Sequence, residues 1–170
     1  KGVNNEDEAI KGALDIIAEN ISDNANIRKE LKKLIRNKGK IISKNTKDED
    51  SVYQTYYDFS ESVKRLQGHK VLALNRGEKE GFLKVTIEIN KALNIIHKYV
   101  IKNTKSSAYK YLEETCIDAF DRLIFPSIER EIRNDLTESA NESAIKTFAT
   151  NLKQLLMQPP VKNKVTLGLD

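Results

Sequence analysis

The stretch from Pro126 to Met157 holds no internal glycine or proline. Read as one helix, it is roughly 48 Å long at 1.5 Å per residue. Its apolar residues do not keep to one side. Ile128, Ile132 and Leu136 fall within about 80° of each other, whereas Ile145, Phe148, Leu152, Leu155 and Leu156 lie about 180–280° round from Ile128. The two halves must therefore meet different neighbours. A break between Thr137 and Asn141, with Thr137 as an N-cap, is the alternative; a continuous, bridging helix is the preferred reading. Pro126 is expected to push Phe125 out of helical geometry and to start this helix afresh.

Helical spacing recurs upstream. Asn4 or Asn5 caps a first helix with Glu6, Asp7 and Glu8 in its first turn and Ile10, Ala13, Leu14, Ile17, Ala18 and Ile21 on one face. A second helix, about Asn24 to Lys38, turns Ile27, Leu31, Leu34 and Ile35 inward, with Gly39 as C-cap. Asn90 is expected to cap a helix with Leu93, Ile96 and Val100 inward. Ser106 or Ser107 caps the next, whose stripe is Ala108, Leu112, Cys116, Ala119, Phe120 and Leu123. Cys116, the single cysteine of the 170 residues, reads as a small buried hydrophobe and leaves no intramolecular disulfide. The aromatic group Tyr53, Tyr56, Tyr57 and Phe59 reads as core with hydroxyl tips on polar partners, in preference to a stacking platform for bases. Phe82 to Ile87 alternates as a short strand. Val71 to Leu74 is too short for periodicity to separate helix from strand. The fold class is mainly α: an irregular multi-helix domain with a long bridging helix over about 126–157 and one or two short β segments. It spans 1–158. Pro159-Pro160 then opens a linker and a strand-like run, Lys164 to Asp170, in a second piece over 159–170.

Charge is unevenly placed. The stretch from Arg28 to Lys47 carries nine basic residues and one acid, Glu30. Arg28, Lys29, Lys32, Lys33 and Arg36 are expected opposite the apolar side of the second helix, followed by Lys38, Lys40 and Lys44. Two readings stand: a solvated helix face, or a stripe that tracks phosphates without reading sequence. No aromatic interleaves with it, which argues against base stacking there. No catalytic, metal or cofactor pattern is present. His69 and His97 lack partners at ligand spacing, Gly77-x-x-x-Gly81 lacks the Lys-Ser/Thr of a phosphate loop, and Glu78-Lys79-Glu80 and Glu129-Arg130-Glu131 read as exposed ion-pairing runs. No apolar run approaches the ~20 residues of a membrane span.

Two strings carry a family likeness: Ala73-Leu74-Asn75-Arg76-Gly77-Glu78-x-Glu80-Gly81 and Pro126-Ser127-Ile128-Glu129-Arg130-Glu131-Ile132-Arg133. With their surroundings, Tyr57 to Val85 and Pro126 to Asp170, they resemble the Tex family of bacterial RNA-binding transcription accessory proteins. Ser62 stands where the family usually has proline, and Gln67-Gly68 where it has Pro-Ser. The resemblance implies a helix over 70–80. It further implies that the chain is the later part of a helical N-terminal region, ending at the first strand of a YqgF/ribonuclease-H-like domain. Elsewhere in such a polypeptide, helix-hairpin-helix units and an oligonucleotide-binding-fold RNA-binding domain are implied. The expected role is a non-catalytic, cytoplasmic scaffold and nucleic-acid-binding region without cofactor, partnered by RNA or DNA, by other domains of the same polypeptide and by transcription machinery; the alternative is a protein-interaction module that docks other domains or transcription machinery without touching nucleic acid.

Overall fold

The computed structural model describes residues 5–47, 49–159, 162, 165, 167 and 168. Helix α1 (Glu6–Asp23) starts at Asn5, whose Oδ1 accepts the Glu8 N–H at 2.8 Å. Asn24 caps α2 (Ala25–Lys38) by accepting the N–H groups of Asn26 and Ile27, which satisfies donors that have no partner inside the helix. Three strands and α3 follow: β1 (Lys40–Asn45), β2 (Asp58–Ser62), α3 (Gly68–Lys79) and β3 (Leu83–Glu88). Then come α4 (Ala92–Val100), α5 (Tyr109–Asp118), a six-residue π-helical stretch (Ala119–Ile124) and α6 (Phe125–Leu156). The chain is mainly α with one small antiparallel sheet of order β2-β1-β3.

α6 is one continuous helix, with no break at Thr137. Phe125 corrects the expectation at Pro126. It stays helical (φ −61°, ψ −47°), and its N–H bonds to Phe120 C=O five residues back. The wide π turns give the proline ring room where an ordinary helix would clash with it. Two further expectations change. Asn90 does not cap α4; Lys91 occupies that place at φ 66° with no side-chain cap. Only the second half of α1 is buried, at Ala18 and Ile21, while Ile10 and Ile16 are exposed because no described element covers them. The strand expected at Phe82–Ile87 is β3, and residues 70–80 fall in α3 and its C-cap. The expected strand Lys164 to Asp170 lies largely outside the described residues.

The core joins all layers. Ile27, Leu31 and Ile35 of α2 meet Ile128 and Ile132 of α6, and Leu74, Val85 and Ile41 continue it under the sheet. Cys116 is fully buried, and burial pushes its thiol up to about 11, with the Glu113 carboxylate adding to the rise. Tyr53 is 5% exposed, and its hydroxyl donates to Glu80 at 2.9 Å. Burial first, and then this bond, holds that phenol above its ordinary value.

Gly77 and Gly68 mark two close approaches. A Cβ on Gly77 would stand 2.6 Å from Leu83 Cδ1 and 3.1 Å from Tyr53 Cδ1. One on Gly68 would stand 3.2 Å from Ala140 Cα, so the start of α3 lies directly on α6. Ala140 is the last buried residue of α6; Asn141 to Leu156 are all exposed.

Two outcomes test this packing. Gly77→Ala adds a methyl that the buried Leu83 and Tyr53 must shift to admit. It should lower stability by about 1 kcal/mol in urea unfolding, overpacking outweighing the better helix propensity of alanine. Cys116 should resist a thiol reagent at pH 8 in the folded chain and react fully in denaturant.

Candidate nucleic-acid interface

The eight cations expected to form one stripe divide into two sets. Ile27, Leu31 and Ile35 form the buried row of α2. Arg28, Lys32 and Arg36 lie one step round from it, where α6 packs. The Arg28 guanidinium donates to Ser127 Oγ at 2.7 Å and to Ser22 C=O at 3.3 Å. Lys32 pairs with Glu131, and Arg36 with Asp135. These pairs are roughly half exposed and add under about 1 kcal/mol each, but they occupy the cations. Lys29 and Lys33 point away from the core, Lys38 ends the helix, and Lys40 and Lys44 stand on β1; all five are exposed.

Strand pairing places the last two. Lys40 lies opposite Ser62 on β2 and Glu88 on β3, and Lys44 opposite Asp58 and Lys84. Along one strand side chains alternate in direction, so Lys40, Lys44 and Lys84 share the open face of the sheet. Ile41, Val85 and Ile87 fill the other. Lys44 and Lys84 are thus like charges directly across a ladder, an arrangement that costs stability unless an anion joins them. Sequence periodicity did not reveal this pair, since β1 is concealed inside a run of lysines.

A second constellation links the two strings singled out in the sequence. Hydrogen bonds alternate along β3. Thr46 N–H donates to Phe82 C=O, so even-numbered residues face β1, and Leu83, Val85 and Ile87 turn their peptide groups outward. Glu78 of α3 accepts the Val85 N–H at 3.3 Å, and Glu129 of α6 accepts the Ile87 N–H at 2.7 Å. Arg133 of α6 donates to Val85 C=O and pairs with Glu78. Asn75 donates to Thr137 Oγ1 at 2.8 Å. Arg76 and Tyr53 both donate to Glu80; these bonds, that of Arg76 first, hold its carboxyl below the usual range. So Glu78 and Glu129 are half-buried, not exposed as expected, and accept strand N–H groups; Glu78 also forms an ion pair, with Arg133. They stand where a fourth strand would sit. A cleft of about 590 Å³ lies over this junction between Asn75, Glu78, Glu129, Arg130, Arg133 and Asn134. Its lining holds no histidine, cysteine or serine. Among the described residues no group of His, Cys, Asp and Glu could hold a metal ion, and no helix is long and apolar enough to cross a membrane.

Residues 1–148 match the family model described as Tex central region-like. The chain belongs to the Tex family. It is 46% identical to a Bacillus subtilis protein named "Uncharacterized protein YdcI", over 100% of this chain and 24% of the relative. It is 30% identical to "Protein tex" of Bordetella pertussis, over 99% of this chain and 24% of the relative. It is 29% identical to "S1 RNA-binding domain-containing protein 1" of Pongo abelii, over 100% of this chain and 19% of the relative. The chain thus spans about a quarter or less of the length of these relatives.

Replacing Glu129 tests the junction. Glu129→Ala leaves the buried Ile87 N–H without an acceptor and should cost about 1–3 kcal/mol. Glu129→Gln keeps an oxygen in place and should cost clearly less, as read from urea midpoints.

Proposed function

We propose that this chain is a non-catalytic scaffold within a Tex-type transcription accessory protein. One observation carries the reading: α6 is anchored up to Ala140 and bare beyond it. Ile145 and Phe148 are each 67% exposed, and Leu155 62%. They share one angular sector with Leu152 and Leu156, turned away from the sector that Ile128 and Ile132 bury. A solvated helix gains nothing from such a stripe; a helix that another domain covers needs it. Its partner in this proposal is another part of the same polypeptide, which fits a chain spanning about a quarter of its relatives. Transcription machinery is the alternative occupant. Hydrogen exchange over residues 141–156 tests the reading. Strong protection is expected when the chain is joined to the rest of a Tex-type polypeptide, and little in residues 1–170 alone; equal exchange in both removes it.

A second reading rests on the free cations. Lys29, Lys33, Lys38, Lys40 and Lys44, with Lys84 beside Lys44, supply sequence-independent phosphate contacts to RNA or DNA. The S1 RNA-binding name of one relative supports a nucleic-acid setting. Arg28, Lys32 and Arg36 serve α6 in this version. Changing Lys29, Lys33, Lys40 and Lys44 to Glu should weaken binding of a labelled duplex. It should also flatten the salt dependence, by roughly one unit of log–log slope for each phosphate the protein no longer neutralises. Binding that ignores salt, or ignores these changes, counts against it.

A further inference from the structure

The two edges of the sheet differ. The β3 edge is occupied by Glu78, Glu129 and Arg133. The β2 edge is not. Asn45 N–H donates to Tyr57 C=O at 3.2 Å, and Val63 N–H to Gly39 C=O at 2.9 Å. These bonds fix the alternation: Phe59 and Glu61 face β1, and Asp58, Ser60 and Ser62 turn their peptide groups outward. Leu66 N–H takes the Ser62 C=O at 3.1 Å. The Ser60 N–H and C=O and the Ser62 N–H have no partner among the described residues, and Ser60 is exposed.

We propose that the β2 edge is a docking site for an acidic peptide that adds as a fourth strand alongside Ser60. Edge addition supplies affinity through the main chain and selectivity through alternate side chains. The selectivity here is for negative charge. Lys40 and Lys44 share the open face with the outward residues of β2, and Lys64 and Arg65 are exposed immediately beyond Ser62. None of these four forms an ion pair among the described residues. Asp58 is the one acid among the outward residues of β2. Adjacent strands lie about 4.8 Å apart, so an added strand runs about 10 Å from β1, within the joint reach of lysine and glutamate. A second copy of the chain fits poorly, because it would bring the same four cations against this face. The site shares Lys40 and Lys44 with the phosphate-contact reading but needs free backbone groups that phosphates do not require.

The test uses a fluorescein-labelled peptide of alternating glutamate and valine, titrated against the full-length protein by anisotropy. Ser60→Pro removes the outward N–H without breaking a ladder bond, a place where an edge strand tolerates proline. It should weaken peptide binding about fivefold, the loss expected when one backbone hydrogen bond of about 1 kcal/mol goes. Nucleic-acid affinity should stay the same. N-methylating alternate peptide amides should weaken binding to the unaltered protein by a similar factor, and this arm decides the question if Ser60→Pro fails to fold. Binding insensitive to N-methylation overturns the proposal, as does no binding at about 1 mM peptide. Self-association of the protein that Ser60→Pro abolishes also overturns it, giving the edge to a second copy.

Discussion

A backbone N–H that leaves water must find an acceptor, and in this fold the requirement falls on β3. A three-stranded sheet has two edges. The β3 edge lies against two helices, where solvent cannot serve every outward peptide group. Glu78 and Glu129 reach in from α3 and α6 to accept those N–H groups, and Arg133 returns a donor to Val85 C=O. Because the acceptors belong to two different helices, satisfying the strand also fixes α3 and α6 relative to the sheet. The close contact of Gly68 with Ala140 and the bond from Asn75 to Thr137 extend the same alignment along α6.

The two strings that carry the family likeness hold the residues of this arrangement. Asn75, Gly77, Glu78 and Glu80 stand on one helix and at its end, and Ser127, Glu129, Glu131 and Arg133 on another. Glu78 of one string meets Arg133 of the other and Val85 of β3, while Ser127, Glu129 and Glu131 answer Arg28 of α2, Ile87 of β3 and Lys32 of α2. Charged positions on a helix usually face water; Glu78, Glu129, Glu131 and Arg133 each meet a backbone atom or a counter-charge instead. Several elements were legible in the sequence, though β1 and β2 were not and α3 came only from the family resemblance. Period 3.6 located the helices, alternation located β3, and the absence of breakers after Pro126 foretold a continuous α6.

What sequence could not supply was the identity of neighbours. The period of α2 separates apolar from charged residues but does not say which charged row another helix covers. Arg28, Lys32 and Arg36 looked equivalent to Lys29 and Lys33 until α6 supplied Ser127, Glu131 and Asp135. β1 was hidden for a related reason: its two inward positions, Ile41 and Ser43, are too few to signal alternation inside a lysine-rich stretch. Helical geometry at Phe125 depends on the π stretch before it, which no local propensity announces.

The departure of α6 from the body at Ala140 makes chain length an angular variable. From Ala140 to Leu156 the helix rises about 24 Å. Every residue inserted between Ala140 and Ile145 would swing the apolar sector by about 100° and advance it by about 1.5 Å, leaving the body untouched. Seven would return it to within about 20° of its starting direction, two turns further out. Homologous chains should therefore vary in the spacing of this segment by near-whole turns or not at all, a phase constraint set by the direction in which the helix must face.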